Sequence, residues 1–486
     1  MLRRKIVEQI LRLSPKAREI FLGSFWSILG ALFSKGLIFI AWIVVARILG
    51  SDGYGQFGIV RSTILMFTTF SGFSLGLTAS KFVAELKETN KERTGKILGL
   101  TISFGFLTGI VVGLLFYFAA PWLALKTLHA PEISGELQIG SLILFFSAIN
   151  GAQFGALQGF QAFKKIAIIY SWQAIVSFPI FILGAYFGGV NGSIWAYAIS
   201  TIFICILSYY SIKTEVKKNM IVIHYRRGWE ERSLLISYSL PSFLSGLMVS
   251  PIKWAADAIL VSQAGFGQMG ILAAAFTFQN LILMGANMLD APFIAVMAKN
   301  KGDDIDSLFS KMNILIPWII GIVVALPFML FPELASAVFG KDYAGHDFHW
   351  TFVIVSLFTV IILFKQGLAR ILAVFELQWW GFLSNIIWGA TLLGSFSLIK
   401  RHDSFTLAVS YLIAYFVNTI IIMPLYFKKK LVPIGTIFSG KSLFIWLLIL
   451  ISAITGLLYD NIAVKIAFLL LIITSLYFTF KKLIKT

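Results

Sequence analysis

The chain has 486 residues, 58% of them hydrophobic and 13% charged, with a formal net charge of +18. An ordinary soluble domain carries about 25% charged residues, so this composition excludes one. The basic excess does not mark a nucleic-acid-binding protein either, because the lysines and arginines are scattered through short segments between long apolar runs.

The first 23 residues hold Arg3, Arg4, Lys5, Arg12, Lys16 and Arg18 and read as a basic, amphipathic cytoplasmic lead. The apolar run Phe25–Val45 is too long for a signal-peptide core and lacks a small-residue cleavage site, so it is expected to be a retained first span. About 20 apolar residues at 1.5 Å each cross the hydrocarbon core. By that rule spans are predicted to begin near residues 24, 55, 97, 136, 166, 190, 234, 269, 310, 350, 379, 405, 443 and 462. The predicted fold is an all-α integral membrane protein with about fourteen transmembrane helices.

A cytoplasmic N-terminus makes every second loop cytoplasmic. Those loops and the two tails hold 31 of the 40 lysines and arginines, counting Lys365 and Arg370 after the tenth span. This asymmetry is the one that the positive-inside rule requires, and it puts both termini in the cytoplasm. The expected organisation is an N-lobe of six spans over 24–212, a cytoplasmic linker over 213–233 and a C-lobe of six spans over 234–427. Two further spans and a cytoplasmic tail fill 428–486. The lone cysteine, Cys205, has no partner for an intramolecular disulfide.

The two halves resemble each other. Gly53-Tyr54-Gly55-Gln56-Phe57-Gly58-Ile59-Val60 aligns with Gly265-Phe266-Gly267-Gln268-Met269-Gly270-Ile271-Leu272, and the same offset of 212 pairs Gly155 with Gly367 and Phe163 with Phe375. Six spans restore the starting side, so the repeats are parallel. Such an arrangement places a substrate site between the lobes near the midplane.

Charges at membrane depth are costly and mark functional positions. Lys35 falls near the middle of the first span and Arg61 about two turns into the second. Lys253 and Asp257 fall four residues apart in the seventh, on one helix face, and Asp290 towards the inner end of the eighth. Lys35, Arg61 and Lys253 read as a cationic cavity for an anionic head group such as a diphosphate. Asp257 and Asp290 are the candidates for coupling to an ion or proton. A purely structural reading, in which Lys253 and Asp257 neutralise each other and Arg61 reaches the interface, stays open. Gln153, Gln158, Gln173, Gln279, Asn280 and Asn287 at depth fit either sugar contacts or interhelical bonds, and Pro241 and Pro251 predict a bent seventh helix.

Two patterns mislead. Gly435-Thr436-Ile437-Phe438-Ser439-Gly440-Lys441-Ser442 spells a phosphate-binding loop, but no buried strand precedes it and an apolar span follows. The histidines fall in loops. His346 and His349 with Asp342 and Asp347 could bind a metal on the outer face, but a solvated loop is the simpler reading. Without a His-Glu-x-x-His pattern or paired cysteines, no metal, cofactor or catalytic constellation is expected.

Three stretches carry a family resemblance. They are Ala46-Arg47-Ile48-Leu49-Gly50-Ser51-Asp52-Gly53-Tyr54-Gly55-Gln56-Phe57, Gly72-Phe73-Ser74-Leu75-Gly76-Leu77-Thr78-Ala79-Ser80-Lys81-Phe82, and Ala156-Leu157-Gln158-Gly159-Phe160-Gln161-Ala162-Phe163-Lys164-Lys165. With the layout of spans they resemble the polysaccharide transporter branch, which includes the O-antigen flippases, of the multidrug/oligosaccharidyl-lipid/polysaccharide exporter superfamily. The resemblance implies a flippase, not an enzyme. Its implied cargo is a polyprenyl-diphosphate-linked oligosaccharide, moved from the cytoplasmic to the outer leaflet of the inner membrane. It also implies two rocking lobes and coupling to an H+ or Na+ gradient or the membrane potential. The implied partners are membrane lipids and glycan polymerase or ligase machinery. A lipid II flippase, a cation-coupled multidrug exporter and a non-transporting scaffold are the alternatives.

Overall fold

The structure is a computed structural model, and residues 15–287, 293, 307–374, 377–428, 439–459 and 461–485 are described. Those residues form helices and connecting turns, with no strand among them. Seven helices precede the gap after residue 287: α1 (Pro15–Gly72), α2 (Leu75–Leu86), α3 (Lys91–Trp122), α4 (Ser134–Gly159), α5 (Phe163–Lys218), α6 (Leu240–Gly246) and α7 (Val249–Asn287). Seven follow it: α8 (Ser307–Leu330), α9 (Pro332–Phe339), α10 (His346–Val374), α11 (Gln378–Leu398), α12 (Ser404–Lys428), α13 (Gly440–Leu458) and α14 (Ile462–Lys485).

Among the described residues, eleven helical stretches are long and apolar enough to cross a membrane. Three of them, Leu32–Gly72, Phe163–Lys218 and Leu235–Asn287, run for 41, 56 and 53 residues, and a span needs only about 20. Each breaks at a glycine held at positive φ: Gly50 at 68°, Gly189 at 55° and Gly265 at 80°. A side chain is costly in that conformation, so glycine is the residue that turns these helices. Pro251 stands in the first turn of α7, where a missing N–H costs nothing, whereas Pro241 follows a π-helical turn, Leu235–Ser239, that runs directly into α6. The interruption of the seventh span lies between them, at residues 247–248.

The chain divides into two compact units. One contains the helix up to Val45 together with Val60–Leu247; the other contains Ala46–Ile59 and the chain from Met248 onward. The expected linker, 213–233, is therefore part of the first unit. It lies along α3 because three glycines let two backbones meet. A Cβ on Gly95 would stand 1.8 Å from the Val222 carbonyl oxygen, one on Gly99 2.3 Å from that of His224, and one on Gly228 2.6 Å from the Leu100 nitrogen. His224 N–H donates to the Gly95 carbonyl at 3.1 Å, and Ile221 enters the core of Val83, Leu98 and Leu157. Arg93 grips Glu231 with two bonds of 2.9 and 3.0 Å, and Lys96 reaches Glu230 at 2.7 Å.

In the second unit, segment 46–59 packs on the start of the second half of α7. A Cβ on Gly55 would stand 1.9 Å from the Phe266 carbonyl oxygen, and one on Gly270 1.9 Å from that of Ser51. Asp52 meets Gly267, and Gly58 meets Ala273. Together with the breaks at Gly50 and Gly265, these pairings obey an offset of 215, three residues from the sequence alignment. Glycines recur so closely in both motifs that either register matches several of them, and backbone contact selects between the two.

The last two helices belong to the second unit. Ile445, Ile449, Ile472 and Phe480 share a buried cluster with Trp318 and Phe364. Lys465 lies in the first turn of α14. It is 1% exposed and bonds Glu333 at 2.7 Å. Beside this packing, α8 and α14 leave an apolar cleft of about 530 Å³ lined by Ile319, Val323, Leu326, Ile473 and Tyr477.

Gly95→Ala is expected to cost about 1–3 kcal/mol by overpacking, read as a lower thermal-unfolding midpoint. Gly36→Ala, where a Cβ meets nothing within 4 Å, is expected to leave the midpoint unchanged. The clasp also responds to acid. The hydrogen bond from Lys96, aided by Arg227, holds the Glu230 carboxyl below the usual carboxylate range. A lowered folded value stabilises above the unfolded value of about 4.3 and ceases to do so as pH falls through the lowered one. Hydrogen exchange in 219–232, corrected for intrinsic rate, is expected to rise across that acid window, and Glu230→Gln is expected to flatten the response.

Candidate functional site

Arg61 lies in α1, eleven residues beyond the Gly50 break, which is about 16 Å along a helix. Its guanidinium sits 4.6 Å above the Trp42 ring, and Trp42 packs against Phe181 at 4.9 Å. The cation is half-buried and close enough to Tyr197 to act on it electrostatically. Among the described residues no carboxylate pairs with Arg61; the aromatic face is its contact. A desolvated cation–π contact contributes up to about 2 kcal/mol. That is well short of the several kcal/mol a charge loses on leaving water. The arrangement holds a positive charge in place and leaves it short of an anion. Lys35 is exposed and lies two turns before Trp42, on the same helix face.

Lys253 and Asp257 belong to the other unit. Lys253 stands 5.3 Å from the Phe276 ring, which meets Tyr411 edge-on at 5.6 Å. Tyr411 stacks on Phe358 at 5.5 Å and lies beside Trp388 at 6.1 Å. Asp257 is 4% exposed and near enough to Tyr411 to act on its hydroxyl. The Tyr411 hydroxyl and the Trp388 indole N–H are both buried without a hydrogen-bond partner among the described residues. Leaving such a group unbonded costs about 1–3 kcal/mol. The aromatic cluster beside Asp257 thus holds two buried polar groups with no hydrogen-bond partner among the described residues.

The structure thus separates the predicted residues into two groups, Lys35 and Arg61 in one unit and Lys253 and Asp257 in the other. Asp290 lies outside the described residues. Sequence reasoning missed two cations by assigning Lys365 and Arg370 to a loop. Both lie inside α10, which continues to Val374. Arg370 is 3% exposed and donates to the Asn313 side chain at 3.1 Å and its carbonyl at 3.3 Å. Lys365 donates to Asn418. The signal that could have found them is spacing: Lys365 and Arg370 follow an uninterrupted apolar run with no Gly or Pro between it and Lys365. The buried amides are structural: Gln153 accepts from Asn150, Gln173 bonds Ser200 and Gln279 bonds Thr359.

This fold is shared with solved polytopic transporters. It superimposes on an inward-facing MATE-family multidrug transporter of the MOP superfamily with a TM-score of 0.65, covering 84% of this chain and 98% of that one at 14% identity. It superimposes on the lipid II flippase MurJ, in an inward closed conformation, with a TM-score of 0.68, covering 93% and 97% at 16% identity. The polysaccharide biosynthesis protein family matches residues 20–289, more than half of the chain, and the chain belongs to that family. It is similar to stage V sporulation protein B of Bacillus subtilis, 24% identical over 285 residues that span 56% of this chain and 54% of that protein. It is also similar to the EPS I polysaccharide export inner membrane protein EpsE of Ralstonia solanacearum, 21% identical over 371 residues, 73% of this chain and 82% of that one. The protein is a multi-pass membrane protein of the polysaccharide biosynthesis protein family, and it has the fold of these solved transporters.

Tyr411→Phe removes an unbonded buried hydroxyl. It is expected to leave thermal stability unchanged or raise it by about 1 kcal/mol, measured in detergent. A clear loss of stability would show that the hydroxyl has a partner in the folded protein.

Proposed function

We propose that the protein moves a polyprenyl-diphosphate-linked oligosaccharide from the cytoplasmic to the outer leaflet of the inner membrane, for assembly of a surface polysaccharide such as O-antigen or capsule. Its two six-span lobes alternate access around a cationic central cavity, with both termini in the cytoplasm. The observation that carries this reading is Arg61, held at membrane depth on the Trp42 face without a carboxylate partner among the described residues. An anionic diphosphate and a cation left short of charge relieve each other on binding. Lys35 and Lys253 add attraction. Asp257 offers a buried carboxylate for an ion, so that an H+ or Na+ gradient or the membrane potential drives the cycle. The family and the flippase fold support the transport of a lipid-linked saccharide; the named cargo, its direction and any polymerase or ligase partner are our reading.

The test is an inventory of lipid-linked glycans in cells with and without the protein, with leaflet read by an external glycan-modifying enzyme. One polyprenyl-diphosphate oligosaccharide is expected to accumulate, shielded from outside, when the protein is absent. Accumulation of the peptidoglycan precursor instead would make this a lipid II flippase, and an unchanged inventory would favour drug export or a scaffold. Arg61→Ala and Lys35→Ala are each expected to slow flipping by about 10–100-fold, the loss of one charge-assisted contact, without reducing membrane insertion. Full activity in both variants would remove the cationic cavity from the mechanism.

A further inference from the structure

Lys365 stands nineteen residues after the start of α10 and nine before its end. Its ammonium donates to Oδ1 of Asn418 on α12. Asn418 is 1% exposed, and its amide nitrogen donates to the Ser384 carbonyl at 2.7 Å and to the Ser384 hydroxyl at 3.0 Å, on α11. One lysine thereby joins three helices through a single buried amide. The partners are neutral. Among the described residues no carboxylate bonds Lys365, whereas Lys165 has Glu215 at 2.8 Å and Lys465 has Glu333 at 2.7 Å.

The other charged and titratable groups on the surrounding elements are identified from the sequence. Helix α10 itself carries Arg370, with His346, Asp347 and His349 at its far end. Helix α7 carries Lys253 and Asp257, and α12 carries Tyr411, Tyr415, Tyr426 and Lys428. Helix α8 carries Lys311, α9 carries Glu333, α13 carries Lys441, and α11 carries none. Arg370 is permanently charged, because a guanidinium does not release its proton in a protein. A lysine held by neutral groups can exist as ammonium or as amine. The ammonium makes a charge-assisted bond to Asn418, about twice as strong as a neutral one. The amine keeps a hydrogen for the same oxygen but binds it more weakly. The proton on Nζ therefore sets how tightly α10 is tied to α11 and α12.

We propose that Lys365 is the residue at which this transporter takes up and releases its coupling proton. The inference deepens the transport reading and rests on it, and it places the coupling step on Lys365 in preference to Asp257. On uptake the Nζ lone pair takes the proton and the site gains one positive charge. On release the proton passes to water and the three-helix tie weakens. A proton that binds one conformation better than the other shifts the population towards it.

The test needs no cargo. Cys205 is the chain's one cysteine, so Cys205→Ser provides a background for labelling. Spin labels are introduced at Ala369 on α10 and Ile421 on α12, both exposed, and the distance between them is measured in nanodiscs across pH. The distribution is expected to move between two forms. K365R is expected to keep the low-pH form at every pH, and K365Q the high-pH form. N418L, which keeps the lysine and removes its acceptor, is expected to displace the midpoint, and it serves if the lysine variants do not fold. A distribution indifferent to pH, a wild-type response in both lysine variants, or an unmoved midpoint in N418L would overturn the proposal. An unchanged inventory of lipid-linked glycans in cells lacking the protein, beside an intact pH response, would overturn the cargo reading alone.

Discussion

Inside a bilayer no water is available to bond a stray peptide group or to solvate a stray charge. The first half of that constraint accounts for the helices. The second decides what the charged side chains do within them. Lys465 is buried because Glu333 meets it, and Arg370 because Asn313 supplies a carbonyl and an amide oxygen. Arg61 and Lys365 are placed differently. One rests on an aromatic face and the other on a neutral amide. At both positions a cationic side chain meets a neutral partner, which fits the anionic cargo proposed for Arg61 and the proton proposed for Lys365.

Close backbone approach is the complementary device. Helices in a membrane gain little from burying apolar surface against one another, because the lipid is apolar too, so they associate through packing and small residues. Gly55 and Gly270 let segment 46–59 meet α7, and Gly95, Gly99 and Gly228 let the central connection lie on α3. The expected linker thus became a fixed part of the first unit. The change of unit falls instead at the interrupted helix near residues 247–248.

Much of the candidate site was legible in the sequence because a charge inside an apolar run stands out against its neighbours. Lys35, Arg61, Lys253 and Asp257 are candidates for that reason, and the structure distributes them over two units. Lys365 and Arg370 escaped because they follow the apolar part of α10, and a charged residue after a span reads as the start of a loop. Whether a helix continues past its apolar stretch depends on what its last turns touch, here Asn418 and Asn313. The repeat shows a related limit. Glycines at short intervals make two registers nearly equal in sequence, and the backbone breaks and contacts, such as that of Gly55 with Gly270, separate them.

Sequence by itself determined that this chain crosses a membrane many times, that its halves are related, and which class of transporter it resembles. Each of these follows from apolar run length and motif, which are local properties of the chain. Tertiary structure decided which charges are compensated, which glycines are contacts and where the connection between the halves belongs. Those depend on residues far apart in the chain, such as Lys465 and Glu333, or Gly95 and Val222. Nothing in either local segment encodes the distance between them.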